Sequence, residues 1–572
     1  MLYRNSKKQI FYPIVLVTVL VLGVVLGLIL ANRGEKPNLL VYPRTDKLSN
    51  VIRYITDEYV DTISMETLVE NTIPEVLKNL DPHSVYIPAK DLQSVSEPLE
   101  GGFDGIGIQF NMNNDTVVVI NTIPGGPSEK LGILAGDRII RVNGKNIAGV
   151  KFPMDSVPKL LKGPTGTKVR VSIKRADVDD LIDFEIIRDK IPIYSVDVAY
   201  MPTLVIGYIK INTFSKTTYK EFLQAMVKLT ERGMEKLILD LRSNSGGYMD
   251  AAISIANEFL PADRLIVYTQ GKNRPRQEAK SNGKGFFQNI PVAILIDEYS
   301  ASASEILAGA IQDNDRGIII GRRSFGKGLV QEQVFFSDGS AMRLTIARYY
   351  TPSGRSIQKP YKPGDDEYYM EIGNRYLHGE FQNADSIQFA DSLKYYTTGG
   401  RVVYGGGGIM PDVFVPLDTN GITPYYQQVS RRNLIYRYAF KFTDEHRKQA
   451  RNLKTFEEVD DFMKKFNLVN DFVSYAKVNG VAPNSREIAI SKLIIESQLK
   501  ATIARNIIDN EGFYPYIRNI DETLLKAIEI MEKNNGNLLD EALKVSQVFI
   551  PNCLPVVCYN IYVKNELITN VI

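Results

Sequence analysis

PVAILIDEYSASASEILAGAIQD, residues 291–313, passes from an unbroken apolar run into small hydroxyl and methyl residues and then into a helical pattern. The apolar run predicts a buried strand, and the Ala- and Leu-rich run after it predicts a helix. Strand, tight turn and helix in that order form the repeating unit of a parallel sheet covered by helices. A serine at such a turn sits beside free backbone N–H groups and the positive end of the helix dipole. A developing oxyanion needs that setting. Serine also caps ordinary helices, so the run by itself leaves catalysis and capping both open.

The same rhythm extends on both sides. VIGYIKINTF (205–214), KLILDL (236–241) and GIIIG (317–321) read as strands. TTYKEFLQAMVKLTERG (217–233), closed by Gly233, and DAAISIANEFL (250–260) read as amphipathic helices. Residues 204–350 therefore predict a mostly parallel α/β sheet. LILDLRSNSGGYMDAA (237–252) ends a buried strand in a glycine turn whose backbone N–H groups could face an oxyanion. An ordinary strand–helix connection is the competing reading.

A nucleophilic serine needs a base. The chain holds only three histidines, His83, His378 and His446, far apart in sequence. GRRSFGKGLVQ (321–331) supplies Lys327 between two glycines. Lysine acts as a base only when neutral, and burial disfavours the charged form. Gln331 could hold the amine without adding a charge. A solvated turn lysine is the plainer alternative. The stretch Gly321–Lys327 also fits G-x-x-x-x-G-K, but Gly328 stands where a phosphate-binding loop needs Ser or Thr, so nucleotide binding is set aside.

Upstream, residues 101–190 change to short β-rich runs separated by Gly and Pro turns, with helices expected near Pro127–Leu131 and Met154–Leu161. Gly105, Ile106, Gly107 and Ile108 form a glycine–apolar turn entering a strand. Free N–H groups there could hold a carboxylate while the strand edge pairs with an extended peptide.

The N-terminus carries a different signal. Residues 10–31 contain no charge and follow Arg4, Lys7 and Lys8. About 20 helical residues cross a bilayer core, and the basic flank places the N-terminus in the cytoplasm. We expect an uncleaved single-pass anchor with everything after residue 32 outside. A signal peptide would have a shorter apolar core and a small-residue cleavage site. Residues 42–96 read as helical, broken at Asp81-Pro82-His83, with His83 as a turn residue. Residues 353–405 show no clear period and read as an insertion or extended loop. Residues 424–546 return to helical patterning, a candidate surface for oligomers or an adaptor or activator protein. The tail from Val548 is apolar and β-prone and carries Cys553 and Cys558, either paired or free.

Composition bounds the rest. The 572 residues carry a net charge of +2, which gives no footprint for nucleic acid. Two cysteines exclude a disulfide-rich scaffold or a four-thiolate metal site. Neither metal nor cofactor is called for.

PGGPSEKLGILAGDRIIRVNGKNI (124–147) is similar to a PDZ domain. With DPHSVYIP (81–88), IGYIKINTF (206–214), LDLRSNSGG (239–247), SASASEILAGAIQD (300–313), FGKGLVQ (325–331) and GGGGIMPDV (405–413), the chain over roughly 45–415 resembles the bacterial carboxyl-terminal processing peptidases. The resemblance implies Ser302 as nucleophile, Lys327 as general base and Gln331 as its orienting partner. It implies the N–H groups of Gly246 and Ala303 as the oxyanion hole and Asp313 as a supporting acid. It also implies a PDZ domain that engages the C-terminal ends of protein substrates through the loop 105–108, with Ile106 and Ile108 lining an apolar pocket. Residues 359–406 are longer than the shortest members have there; they leave the catalytic motifs uninterrupted and are expected to shape substrate access.

The expected architecture is mixed α/β and β, multidomain: a cytoplasmic N-terminus (1–9), an anchor (10–31) and an N-terminal helical region (42–96). A PDZ domain (97–190), a peptidase core (191–420, with insertion 359–406), a helical region (421–546) and a tail (547–572) follow. The expected function is that of a serine endopeptidase on the periplasmic side of the inner membrane. The alternative is a silent PDZ scaffold with no catalysis.

Overall fold

The computed structural model describes residues 17–25, 47–113, 115–176, 178–362, 367–388, 390–533 and 570–571. The chain forms two compact units, Met1–Val76 and Leu77–Ile572. In the first, residues 17–25 are helical with exposed apolar side chains such as Val19 and Leu20. Helices α1 (Lys47–Glu58) and α2 (Met65–Leu77) follow. Among the described residues no helix is long and apolar enough to cross a membrane. The span expected over 10–31 is thus unsupported there, and its flanks lie outside the described residues.

In the second unit the Asp81–Ser84 turn leads into strand β1 (Val85–Ile87), where a helix was expected, and helix α3 (Ala89–Glu100). Its chain then builds a small β-domain: β2 (Gly102–Gly105), β3 (Ile108–Asn113), β4 (Thr116–Thr122), β5 (Arg138–Val142), β6 (Lys145–Asn146), β7 (Lys168–Lys174), β8 (Ile182–Ile187) and β9 (Asp189–Pro192). The expected short helices are α4 (Pro127–Lys130) and α5 (Val157–Leu161). Strands β3-β4-β5-β7-β8 pair antiparallel, and β2 pairs separately with β9. Alternate residues such as Val117, Val119, Val169 and Val171 point into one core, as period two requires.

The α/β core follows. Strands β10 (Val196–Tyr200), β11 (Ile206–Ile211), β12 (Lys236–Asp240), β15 (Val292–Ile296), β16 (Ile318–Gly321) and β21 (Val413–Phe414) form one sheet in that order. All neighbours from β11 onward are parallel. The period-two rule divides β15 cleanly. Val292, Ile294 and Ile296 pack under helices α6 (Thr218–Glu231), α7 (Met249–Phe259) and α8 (Ala303–Asp313). Ala293 and Leu295 face the other side, where Leu524, Ala527, Ile530 and Met531 cover them. Burial of each large aliphatic side chain contributes about 1.5–3 kcal/mol, which explains the unbroken apolar runs.

A second, antiparallel sheet was not expected. It consists of β1, β13 (Leu265–Gly271), β14 (Arg274–Lys280), β17 (Leu329–Phe335) and β18 (Ala341–Tyr350). The stretch read as an extended loop holds a helix, α9 (Glu367–Leu377), and the hairpin β19 (Lys394–Tyr396) and β20 (Val402–Tyr404). Helices from α10 (Pro424–Arg431) and α11 (Leu434–Glu445) through α12 (Ser485–Ile508) to α13 (Glu522–Lys533) form the helical region. Phe440 of α11 packs on Val118 and Ile120 of β4, and Asp444 pairs with Arg138 of β5 at 2.7 Å. The β-domain is therefore seated on this region. Cys553 and Cys558 lie outside the described residues. Of the tail only Asn570–Val571 is described, a strand antiparallel to β3.

Candidate active site

The turn after β15 places three serines in very different surroundings. Ser300 is fully buried, and its hydroxyl donates to the Leu241 carbonyl at 2.9 Å. Ser304 is fully buried too, and its hydroxyl donates to the Asn244 carbonyl at 2.9 Å. These two bind the β15–α8 turn to the loop after β12. Ser302 stands between them at the N-terminus of α8, where its side chain faces the Glu305 backbone N–H in a capping box. Its φ of 54° and ψ of −112° are strained for a residue with a Cβ. Such a strand-to-helix elbow presents a hydroxyl to solvent rather than to the core.

Gly246 explains how the loop after β12 approaches so closely. A Cβ there would meet the Ser302 Cβ at 2.8 Å and the Ala301 carbonyl oxygen at 2.8 Å. Its φ of 102° also suits glycine. Its N–H, expected as an oxyanion donor, instead donates to Asn244 Oδ1 at 2.8 Å. The Gly247 N–H has no partner among the described residues, nor has that of Ala303 in the first turn of α8.

Lys327 lies just before β17. Its Nζ donates to Gln331 Oε1 at 3.1 Å, and Gln331 Nε2 donates to the His83 carbonyl. Burial lowers the Lys327 pKa, and the nearby Arg343 guanidinium adds to the effect. Asp81 and Glu305 oppose it. A lowered pKa enlarges the neutral fraction that can accept a proton.

Two residues absent from the sequence reading tie the serine and lysine segments together. Glu305, fully buried, accepts the N–H of Ser302 at 2.9 Å, of Lys327 at 2.9 Å and of Gly326 at 2.7 Å, and the Ser324 hydroxyl at 2.5 Å. Burial pushes its pKa up, while those donors favour the carboxylate. The Tyr349 hydroxyl lies 3.1 Å from the Ser302 carbonyl and 2.8 Å from the Lys327 carbonyl. The signal for Glu305 was in the sequence: Ser302-Ala-Ser-Glu305 has capping-box spacing. Nothing local marks Tyr349, because it arrives from a distant strand.

Asp313 lies at the far end of α8 from Ser302, roughly 16 Å along the helix axis. Its Oδ1 pairs with Arg355 Nη2 at 2.7 Å, both side chains fully buried, and its Oδ2 accepts the Ser353 N–H at 3.1 Å. It holds the chain after β18 and does not join the serine. Ile106 and Ile108 are wholly buried in the β-domain core, so they do not line an open pocket. The loop 105–108 offers backbone instead. The N–H groups of Ile106 and Gly107 have no acceptor among the described residues, while the Ile106 carbonyl is held by the Ser128 hydroxyl at 2.6 Å.

Comparison with known proteins matches these parts. Residues 205–365 match the peptidase family S41 model and residues 105–186 the PDZ domain model. Residues 425–509 match a family of unknown function. A carboxy-terminal-processing protease of Bartonella bacilliformis is 37% identical over 325 residues, covering 55% of this chain and 73% of its own. The carboxy-terminal processing protease CtpA of Bacillus subtilis is 34% identical over 358 residues, covering 62% and 76%. A solved photosystem II D1 C-terminal processing protease is 29% identical, covers 54% of this chain and 89% of its own, and has a TM-score of 0.31. The chain belongs to the carboxy-terminal processing serine proteases of peptidase family S41, with a PDZ domain, and is a hydrolase.

Proposed function

We propose that the protein is a membrane-anchored endopeptidase that uses a Ser302–Lys327 dyad on proteins presented by their C-terminal ends. The observation that carries the dyad is the shared tether. Glu305 and Tyr349 each bond to the backbones of both residues, and the Lys327 amine is held by Gln331. Ser302 Oγ attacks the scissile carbonyl carbon and neutral Lys327 takes its proton. The oxyanion meets the Ala303 N–H and the Gly246–Gly247 turn, where the Gly247 N–H is unengaged. Lys327 then passes its proton to the departing amine. Water, deprotonated in turn by Lys327, attacks the acyl ester and releases Ser302.

The free N–H groups of Ile106 and Gly107 suit a terminal carboxylate, and an extended chain would take the place beside β3 that Asn570–Val571 holds in this structure. The uncharged run 10–31 behind a basic flank supports a single anchor with the protease on the periplasmic side. Membership of a protease family removes the reason for a silent scaffold.

The test uses the full chain and an unfolded protein with an apolar C-terminus, with fragments read by mass spectrometry. The parent is expected to cleave, while Ser302→Ala and Lys327→Ala are not. Turnover by Lys327→Ala equal to the parent would remove the dyad. Equal cleavage of a substrate with an amidated C-terminus would remove carboxylate capture.

A further inference from the structure

The insertion packs against the lysine segment. Arg375 of α9 donates to the carbonyls of Ser324 at 3.0 Å and Arg323 at 2.6 Å. Lys359 Nζ lies over the rings of Phe325 at 4.1 Å and Tyr368 at 4.2 Å. Tyr368 in turn meets the His83 ring edge-on at 5.3 Å, with its hydroxyl 2.8 Å from His83 Nε2. Phe325 flanks the same imidazole, its ring centroid 6.4 Å away. The neighbouring Tyr369 hydroxyl donates to the Pro82 carbonyl at 2.5 Å. A segment that resembles an accessory in sequence therefore grips the turn 81–84 and the loop 323–327 together.

The turn is held just as firmly from the opposite side. Asp81 Oδ1 accepts the His83 N–H at 2.9 Å, the Ser84 N–H at 3.0 Å and the Thr345 hydroxyl of β18 at 3.0 Å. Ser84 Oγ donates to Asp81 Oδ2 at 2.6 Å and accepts the Thr345 N–H at 3.1 Å. What this turn presents to the site is the His83 carbonyl, which accepts from Gln331 Nε2. A carbonyl oxygen can only accept. It therefore selects the donor end of the Gln331 amide and leaves Oε1 for Lys327 Nζ. The flipped amide would set N–H donors against an amine that itself carries N–H donors.

Resting on the Ser302–Lys327 reading, we propose that Tyr368 and His83 are positioning residues for the base. Tyr368 clamps the His83 ring, the His83 carbonyl orients Gln331, and Gln331 holds the Lys327 amine in its partly buried place. The insertion thereby completes the base rather than only bordering the substrate path.

The electrostatics are compatible with this role. Burial and the neighbouring Lys327 lower the His83 pKa to about 4, so the imidazole is neutral near pH 7. The charged groups facing Lys327 are Arg343 from β18, Asp81 from the turn and Glu305 from α8. Lys359 faces His83 from the insertion, where it pairs with Glu371 at 3.0 Å. A lysine freed from its holder reaches water, where the ammonium is better hydrated, and its pKa rises.

The test compares Tyr368→Phe, His83→Phe and the double variant in the full chain. Each keeps a ring and every backbone group and removes the Tyr368–His83 hydrogen bond; Tyr368→Phe also removes the acceptor of a long Gln358 Nε2 contact at 3.5 Å. The readout is the pH dependence of kcat and KM on an unfolded protein substrate. The acid limb should move up by about half to one pH unit. Turnover at neutral pH then falls roughly 3–10-fold, KM stays unchanged and the loss shrinks as pH rises. The double variant should match Tyr368→Phe, since the His83 bond is already lost there. Reactivity of the Lys327 amine toward an acylating reagent, followed against pH by mass spectrometry in a Ser302→Ala background, reads the same shift without turnover. Parental profiles in both single variants, a loss equal at every pH, or additive losses would overturn the clamp. Lys327→Ala run alongside separates the two claims. If it is inactive while Tyr368→Phe keeps the parental profile, only the clamp falls. If it is fully active, the dyad falls as well.

Discussion

Ser302 and Lys327 donate their backbone N–H groups to the same oxygen, Oε2 of Glu305, each at 2.9 Å. The two residues stand 25 positions apart, on either side of a helix and a strand. A single buried carboxylate therefore fixes the distance between a helix N-terminus and a loop that no local interaction would bring together.

Replacing Glu305 by Gln tests that tether. The amide keeps one acceptor oxygen and turns its NH2 toward donors, so at least one buried N–H is left unpaired. That costs about 1–3 kcal/mol of stability. A displacement of about 1 Å at the nucleophile costs on the order of 100-fold in rate. Thermal melts and turnover measured together should show both losses; a variant with parental turnover would show that the tether is dispensable.

Tyr349→Phe removes the hydroxyl shared by the Ser302 and Lys327 carbonyls while keeping the buried ring. We expect about 1 kcal/mol of lost stability. Turnover should fall about tenfold, equivalent to ~1.4 kcal/mol in the barrier. Binding of a C-terminal peptide to the PDZ domain, read by fluorescence anisotropy, should stay as in the parent.

Gly246→Ala should abolish turnover with the chain still folded. The new Cβ would lie 2.8 Å from the Ser302 Cβ, so the elbow must shift. The left-handed backbone adds about 1–3 kcal/mol of strain. Parental kinetics in this variant would show that the loop after β12 is not part of the site.

The buried Lys327 makes a prediction about stability as well as rate. Its pKa lies below the ordinary 10.5 in the folded chain, so between those two values the unfolded chain binds more protons. Stability therefore rises with pH across that window. Lys327→Met should melt higher than the parent at neutral pH, and the difference should shrink as pH approaches 10.5. An equal melting difference at every pH would contradict the lowered pKa.

Asp313→Asn should separate stability from chemistry. It leaves the buried Arg355 guanidinium short of its carboxylate, which costs about 3–5 kcal/mol. At temperatures where the variant is folded, kcat should stay near that of the parent. A large drop in kcat there would place Asp313 back in the reaction.

Much of the site was legible because it is built from local signals. The apolar run 292–296 can only be a doubly covered strand, and the small residues after it can only be a tight turn into a helix. The tight turn that carries Lys327 was legible from its flanking glycines. Asp313 was misplaced because a motif fixes a residue's position along a helix and says nothing of which end faces the substrate. Ile106 and Ile108 were misplaced for a similar reason: alternation assigns them to a face, and only packing shows that this face is the core. The antiparallel second sheet escaped because its strands are half-exposed and mixed in polarity, and because β1 and β13 reach β18 from far along the chain. Helix α9 escaped because its aromatic and charged residues give no clear period without the loop they pack on.

The sequence by itself determined the order of strands and helices, the β-domain ahead of the α/β core, and the candidate nucleophile and base, since each rests on hydrophobic period, glycine geometry and residue chemistry within a few positions. Only the tertiary structure decided that Glu305 and Tyr349 join the Ser302 and Lys327 segments, that the Gly246 N–H is already engaged, and that the insertion and the Asp81–Ser84 turn meet beside Gln331. Those are contacts between segments far apart in the chain, and they form only when the buried sheet brings hydrogen-bonding groups together where water cannot satisfy them.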